Sequence, residues 1–424
     1  MKECYLKPKF FSTIKNYKKE QLIKDITAGI IVAIIALPLS IALALASGVE
    51  PACGIYTAIA AGFIVSLFGG SSIQIAGPTA AFATIVAGIV AKSGMDGLFI
   101  ATVLAGIILI LLGVFKLGSL IRFIPHTIVV GFTSGIAVTI LIGQIKDFFG
   151  LTYIDGLKPI ETMEKVYANI VSFGSFSWQS LIIGVVSLVI LIFYPKFEKR
   201  VPPSLIAVIV GSLLTALIPI MNDGVFTIGK LYEIPTGLPK VNFSGMDFSF
   251  GNILSLLPNA FPIAILAAIE SLLSCVVADN MVNSKHNPNA ELMAQGLGNI
   301  ASVFFGGIPA TGAIARTSAN AKNGGRTPVA GMVHSLILLL VVLFLMPLAE
   351  FIPMPTIAAI LFMVAYNMSE YKKFSEIVKT RNVTNIIVLV LTFVLTVIFD
   401  LVVAIVVGMV VHLLINLVYK KLIK

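Results

Sequence analysis

Long apolar runs separated by short polar connections dominate the pattern along this chain. The runs Leu98 to Phe115, Leu181 to Tyr194 and Ile387 to Ile398 contain no charged residue. A helix needs roughly 20 apolar residues to cross a bilayer, so the pattern predicts an all-α integral membrane protein with fourteen transmembrane segments. The predicted segments are 24–46, 52–70, 78–92, 97–116, 125–148, 177–195, 202–220, 256–278, 288–305, 311–321, 327–349, 354–369, 384–400 and 402–420.

Composition and charge support this prediction and orient it. Hydrophobic residues make up 58% of the 424 residues and charged residues only 12%, about half the charged share of a soluble domain. An even number of segments places both termini on one side. If that side is the cytoplasm, 22 of the 29 basic residues fall inside and six outside, as the positive-inside rule requires. We therefore predict a multi-pass protein of the inner (plasma) membrane, with a basic cytoplasmic tail over 1–23 and a membrane domain over 24–424. The net charge of +9 then reflects orientation in the lipid bilayer, and we expect no nucleic-acid partner.

Two of the predicted segments are short and are broken by glycine and proline. In the first, Gly77 and Pro78 interrupt the segment, and in the second Pro309 follows a pair of glycines. They are the third and tenth segments, and thus occupy the same position in each group of seven. One break is reached from the inside and the other from the outside, which predicts two inverted repeats of seven segments with half-helices at segments 3 and 10. Ordinary proline kinks are the alternative interpretation.

Paired breaks of this kind are typical of a transporter binding site at the middle of the membrane. The two helix N-termini would face each other there, and each carries partial positive charge and free N–H groups that favour an anion. Thr79 and Thr311 lie beside the breaks, where their hydroxyl groups can cap a helix or bind a ligand.

Two charged residues fall within predicted spans. Glu270 lies in the eighth segment with Ser274 one turn further on, and the pair predicts a proton or sodium site, with a structural ion pair as the alternative. Arg316 lies about two turns beyond Pro309. It can add a full charge to the anion site or pair with Glu270, and the two roles are compatible.

Other polar residues predict no further chemistry. Asp25 and Glu291 stand near span ends and are interpreted as interface charges, and His334 as a capping or solvated residue. The three cysteines lack metal-ligand spacing, and the chain shows neither a nucleophile–base pair nor a phosphate-binding loop. We therefore expect no enzyme activity, no cofactor, and no metal beyond Na⁺ as a coupling ion.

Several motifs resemble the SulP family of anion transporters over essentially the whole chain. They include Ala36-Leu-Pro-Leu-Ser40, Ala76-Gly-Pro-Thr79 and Ile124-Pro-His-Thr-Ile-Val-Val-Gly-Phe132. The most specific stretch runs from Ala268-Ile-Glu-Ser-Leu-Leu-Ser274 to Gly306-Gly-Ile-Pro-Ala-Thr-Gly-Ala-Ile-Ala-Arg-Thr317.

The resemblance implies a core domain over 24–116 and 256–349, a gate domain over 125–220 and 354–420, elevator-like movement of the core, and a homodimer. Glu270 matches the coupling-ion residue of symporting relatives. The residues that match the family's anion site are Thr79, Ala80, Thr311, Gly312, Ala313 and Arg316.

Two departures from the family pattern are visible. Leu39 stands where many relatives have glutamine after the Leu-Pro of the first segment. The C-terminal STAS domain of the family is absent from this sequence, and we expect a membrane domain only.

The leading hypothesis is secondary transport of a small inorganic anion, with sulfate or bicarbonate first, coupled to H⁺ or Na⁺ through Glu270. The alternatives are an uncoupled anion channel, an anion exchanger, and a nucleobase-type transporter of the same architecture. The last is disfavoured because it needs carboxylates to hold a base, whereas this site carries Arg316.

Overall fold

The structure is a computed structural model that describes residues 7–119, 125–198, 201–234, 237, 247–399 and 401–422. Residues 1–6 of the predicted tail, Ile124 of the fifth-segment motif and the final residues 423–424 lie outside these ranges. The described chain is mostly helical, as the apolar runs predict, because a helix satisfies its own backbone groups in lipid.

Eighteen helices follow one another along the described residues. The first ten are α1 (Lys9–Thr13), α2 (Lys19–Ala46), α3 (Pro51–Phe68), α4 (Ala83–Val114), α5 (His126–Phe149), α6 (Thr162–Val171), α7 (Trp178–Phe197), α8 (Pro203–Leu217), α9 (Pro219–Gly224) and α10 (Ile228–Leu231). The remaining eight are α11 (Phe250–Val282), α12 (Pro288–Phe304), α13 (Ile314–Lys322), α14 (Val329–Phe344), α15 (Met354–Met368), α16 (Tyr371–Lys379), α17 (Val383–Ile398) and α18 (Leu401–Leu422).

Six of these helical stretches, within the described residues, are long and apolar enough to cross a membrane. They are α2, α3, Ala80–Val114, α5, α7 and α11, and shorter apolar helices include α8, α14 and α17. Length and composition alone do not show which of the shorter helices cross the membrane, in which direction they cross it, or which helices correspond between two repeats. The count of fourteen segments and their inverted repeat therefore stay predictions.

Helix α4 joins two segments that the sequence separates. The predicted segments 78–92 and 97–116 form one helical run, which bends at Gly94. Gly94 has φ of +68°, in the region that only glycine adopts freely. The short predicted loop between the two segments is thus a single non-helical residue inside a longer helix.

The one departure from an all-α fold, in the described part of the chain, is a pair of two-residue strands with an isolated bridge elsewhere. Strands β1 (Ala76–Gly77) and β2 (Thr311–Gly312) are antiparallel, with Ala76 opposite Gly312 and Gly77 opposite Thr311. Strand β1 includes Gly77 of the first predicted break, and β2 begins two residues after Pro309 of the second. The strands therefore tie the two breaks directly to each other.

Helix packing arranges the bundle around this strand pair. Helix α12 packs against α3 and α4, α14 packs against α2 and α3, and α11 packs against α4 and α13. A second set of contacts joins α5 to α15 and α17, and α7 to α8 and α15. The strand pair lies within the first set, on the side of α11.

Candidate functional site

The non-helical backbone that leads from α3 to the first break is supported by side-chain hydrogen bonds in place of helical ones. The backbone N–H groups of Gly70 and Ser71 donate to Glu291 Oε2 at 2.9 and 3.2 Å. Oε1 of the same carboxylate accepts from the side-chain amides of Gln74 and Gln295, both at 3.0 Å. Non-helical backbone within a membrane is tolerated only where such partners are supplied. Glu291 is fully buried, so its interpretation as an interface charge is wrong.

Asp25 is also fully buried and is not the interface charge that its position near a span end predicts. Its carboxylate accepts hydrogen bonds from the hydroxyl groups of Tyr17 and Thr327 at 2.8 and 2.6 Å, and from Arg326 N–H at 2.9 Å. These bonds join the start of α2 to the turn before α14.

The second break uses neutral partners for the same purpose. The side-chain amide of Asn299 accepts from Ala310 N–H and donates to its carbonyl oxygen, both at 2.9 Å. Thr57 accepts from Ile308 N–H at 2.7 Å, and Ser302 donates to the Ile308 carbonyl at 2.6 Å. The residues around Pro309 are therefore extended and satisfied without a helix.

The two helices that follow the breaks begin later than the sequence predicts. A short 3₁₀ turn over Ala80–Phe82 precedes α4, and α13 begins at Ile314 rather than at 311. Pro78 and Pro309 consequently lie before the helices and not in their first turns. Both helix starts adjoin the strand pair, because Pro78 follows β1 directly and α13 begins two residues after Gly312.

Glu270 joins the two breaks. Its Oε2 accepts hydrogen bonds from the hydroxyl groups of Thr79 and Thr311, each at 3.0 Å. The sequence assigns the threonines to the anion and Glu270 to the coupling ion, and the structure brings all three together at one oxygen atom. An anion that used both hydroxyl groups would have to replace this carboxylate as their acceptor.

The serines of α11 have a different arrangement from the predicted one. Ser271 Oγ accepts from Gly312 N–H at 3.0 Å and so supports β2. Ser274 donates to Thr317 Oγ1 at 3.3 Å, and that oxygen also accepts from Ile75 N–H at 3.1 Å. Ser274 therefore contacts the strand support rather than Glu270, and its role in ion coupling stays a prediction.

The other residues predicted for the anion site surround the strand pair. Ala80 opens the 3₁₀ turn, and the N–H group of Ala313 donates to the Ile75 carbonyl at 2.9 Å. The N–H groups of Gly312 and Ala313 are thus both used within the protein. The two threonine hydroxyl groups donate to Glu270 and become available only when that carboxylate releases them, whereas Arg316 has N–H groups without a partner among the described residues.

Arg316 is fully buried behind the strand pair. Its Nη2 donates to Ser40 Oγ at 3.1 Å, and within the described residues its Nε and Nη1 have no hydrogen-bond partner. A Cβ atom on Gly77 would lie 2.1 Å from Nη1, so the guanidinium packs directly on the backbone of β1. The alternative ion pair with Glu270 is not formed: the ion pairs of the described chain join Asp279 to His286 and Glu370 to Lys373.

His334 lies beside the strand pair, where the sequence analysis did not place it. It is fully buried within α14, and both of its ring nitrogens lack a hydrogen-bond partner among the described residues. A Cβ atom on Gly62 would lie 3.5 Å from its Nδ1 and 3.3 Å from the carbonyl oxygen of Ala76 in β1. The available signal was its place inside the apolar run Val329–Phe344, where a histidine has no access to solvent.

These features define a helical membrane protein with two broken segments that converge on a carboxylate, two hydroxyl groups and an arginine. A model of the sulfate permease family matches residues 22–392. The chain belongs to this family, which confirms the resemblance drawn from its motifs.

Curated relatives cover most of the chain. The chain is 42% identical over 381 residues to the putative sulfate transporter YvdB of Bacillus subtilis, covering 90% of this chain and 71% of that protein. It is 32% identical over 364 residues to the bicarbonate transporter BicA of Picosynechococcus, covering 82% of this chain and 62% of that protein.

Solved structures show the same fold. The transmembrane domain of a cyanobacterium bicarbonate transporter BicA superposes with a TM-score of 0.82 at 29% identity, covering 92% of this chain and 98% of that domain. SLC26A9 superposes with a TM-score of 0.85 at 19% identity, covering 96% of this chain and 67% of that one. At this lower identity the likeness concerns the fold alone.

Proposed function

We propose that the chain is a secondary active transporter of a small inorganic anion across the cell membrane, with H⁺ or Na⁺ as the coupling ion. Membership of the sulfate permease family supports transport as the activity rather than catalysis. The names of the relatives favour sulfate or bicarbonate as the anion.

One observation carries the coupling proposal: Glu270 and the predicted anion ligands share the same two hydroxyl groups. A deprotonated Glu270 holds both hydroxyl donors and repels a second negative charge placed nearby. When a proton or Na⁺ neutralises the carboxylate, both obstacles weaken. The anion then enters where Thr79 and Thr311 can donate to it.

The positive side of the site is supplied by Arg316 and by the starts of α4 and α13. The guanidinium is buried without a carboxylate partner among the described residues, and a charge in such surroundings acts over a longer range than one in water. A helix N-terminus adds partial positive charge of the same sign. The site is thus electrostatically suited to an anion once Glu270 is neutral.

The strand pair supports an elevator-like movement of the site. Because β1 and β2 are hydrogen-bonded, α4 and α13 can carry the bound anion as one body while the helices packed around α5 stay in place. We also propose a homodimer, as the family resemblance implies.

Uptake into proteoliposomes tests the coupling. We expect Glu270→Gln to abolish uptake driven by a pH or sodium gradient, because the amide can neither bind the proton nor attract the cation. Glu50→Gln is the matched control, since it makes the same chemical change at an exposed position at the start of α3. Gradient-driven uptake at the wild-type rate in Glu270→Gln would contradict the coupling proposal.

Imposing the proton and sodium gradients separately identifies the coupling ion. A panel of competing anions against labelled sulfate and bicarbonate identifies the substrate. Measurements on the same vesicles also distinguish the proposed transporter from the three alternative functions. A channel gives linear, unsaturable conductance, an exchanger requires an anion on the opposite side, and a nucleobase-type transporter is inhibited by bases rather than by inorganic anions.

A further inference from the structure

Two neighbouring cavities lie beside the first half of α4, at the end of the bundle predicted to face the outside. Each has a volume of about 360 Å³. The first separates α4 from α5, and the second extends towards α11 and α17. The residues that line both cavities are Thr84, Thr139, Ile160 and Lys165. Thr84 is five residues beyond Thr79, so the cavities adjoin the central site along α4.

Lys165 extends from α6 into the space shared by the two cavities. Its Nζ lies 3.9 Å from the position that a Cβ atom on Gly143 of α5 would take. No carboxylate of the described residues lies within ion-pair distance of it, since the ion pairs there involve other residues. The cation therefore faces the cavities without an acidic partner at contact distance.

The acid next to Lys165 is engaged elsewhere. Glu164 Oε2 accepts from the N–H groups of Ile160 and Glu161 at 2.8 and 3.1 Å and so caps the start of α6. These two hydrogen bonds hold the pKa of Glu164 below its usual value. The carboxylate thus accepts hydrogen bonds from the helix terminus and makes no direct ion pair with Lys165.

The remaining charged groups around the two cavities leave an excess of positive charge. Three lysines line them, against Asp147 and Glu161. Lys146 lies 4.9 Å from the centre of the Tyr153 ring, which positions one of these ammonium groups over an aromatic face. A recess with basic walls concentrates small anions from solution.

We propose that Lys165, with the hydroxyl group of Thr84 that lines the same space, forms an outer capture site for small inorganic anions on their way to the central site. The proposal rests on the proposed transport function. Each cavity is at the small end of the range for ligand sites and is still larger than an inorganic anion, which therefore keeps part of its water. Burial lowers the pKa of Lys165, and a bound anion opposes this effect by stabilising the protonated amine.

The first test compares two lysines of the same connection. Lys165→Gln should raise the anion concentration for half-maximal uptake about 5-fold at low ionic strength, with little change in the maximal rate. The difference should shrink in high salt, because screening weakens the attraction in the wild type. Lys165→Arg should stay close to the wild type. Lys158→Gln is the matched control, since it removes the same charge from an exposed side chain that lines neither cavity.

The second test is chemical and does not depend on uptake kinetics. The chain has three cysteines, of which Cys53 and Cys275 are buried, so Cys4→Ser with Lys165→Cys leaves one accessible thiol. A negatively charged, membrane-impermeant thiol reagent should modify it from one side only, and saturating sulfate or bicarbonate should slow the reaction.

The outcomes separate this proposal from the proposed function. Unchanged half-saturation in Lys165→Gln, or modification that the anion does not slow, would overturn the capture site. Coupled uptake by the wild type would be unaffected by either result. An equal loss in Lys158→Gln and Lys165→Gln would also overturn it, because a general surface-charge effect would then be sufficient.

Discussion

The two breaks share a backbone arrangement and differ in their chemistry. Each break adjoins a two-residue strand, the two strands pair with each other, and each break supplies one threonine hydroxyl to Glu270. The first break is supported by the buried carboxylate of Glu291, whereas the neutral amide of Asn299 supports the second. The first is followed by the long α4, and the second by the nine-residue α13 with its buried Arg316.

This contrast separates geometry from charge. The strand pair brings one hydroxyl donor from each break to the same carboxylate oxygen. A formal positive charge comes from the second break, because Arg316 belongs to α13. The first break has its carboxylate in the support, where an ionised Glu291 holds backbone N–H groups about twice as strongly as a neutral acceptor. We therefore expect substitutions at Arg316 to change anion binding and substitutions at Glu291 to change stability.

The largest expected effect on function is on anion binding at Arg316. Arg316→Gln should weaken binding by roughly 10- to 100-fold, the range for hydrogen bonds to charged groups, and Arg316→Lys should recover only part of it, because lysine lacks the planar guanidinium. Equilibrium binding of labelled anion to the purified protein measures this. Lys322→Gln removes the same charge at the exposed end of α13 and should bind normally. Normal binding by Arg316→Gln would contradict the inference that the second break supplies the positive charge of the anion site.

The next effect is on stability and distinguishes the two supports. Glu291→Leu should reduce the free energy of unfolding by about 3 to 5 kcal/mol, because four donors lose their acceptor. Asn299→Leu should cost less, about 1 to 3 kcal/mol, since it affects one donor and two acceptors, all of them neutral. Reversible unfolding in detergent measures both, with Glu291→Gln as the conservative control. The reverse order would show that the neutral support is the stronger one.

The smallest expected effect is on the pH dependence of uptake, and it should be equal for the threonines of the two breaks. Thr79→Val and Thr311→Val each remove one donor from Glu270, so the deprotonated carboxylate loses stabilisation and protonation occurs at a higher pH. For H⁺-coupled uptake, the half-maximal pH should therefore rise by about one unit in each variant. The pH profile of uptake into vesicles is the measurement, and the Thr→Ser variants should restore it. Unequal shifts would mean that Glu270 depends on one break more than on the other.

The sequence predicts the local features of this fold and misses those that depend on contacts between distant segments. Apolar runs and proline positions identify the helices and both breaks, because they report local preferences. The strand pair is not predictable in this way, since two residues contain no periodicity. The burial of Glu291 and Asp25 depends on distant segments: Gly70 and Gln74 in one case, and Thr327 in the other.

The convergence at Glu270 is also a long-range property. Its two donors lie 191 and 41 residues away along the chain. Residue type predicts that each group is functional, whereas only the fold shows that they share one oxygen atom. Arg316 illustrates the converse case. Its burial agrees with its place within a predicted span, the predicted ion pair with Glu270 is not formed, and the predicted contact with an anion stays a prediction.

The strand pair also has a consequence for how the protein is made. Ala76 is paired with Gly312, which emerges from the ribosome 236 residues later (312 − 76). At ordinary rates of synthesis this delay is roughly 12 to 50 seconds. Glu291, which holds the first break, is translated only shortly before Gly312. The N-terminal half must therefore wait in the membrane with its broken segment unsupported, and a chain that stops before α12 exposes that backbone to quality control.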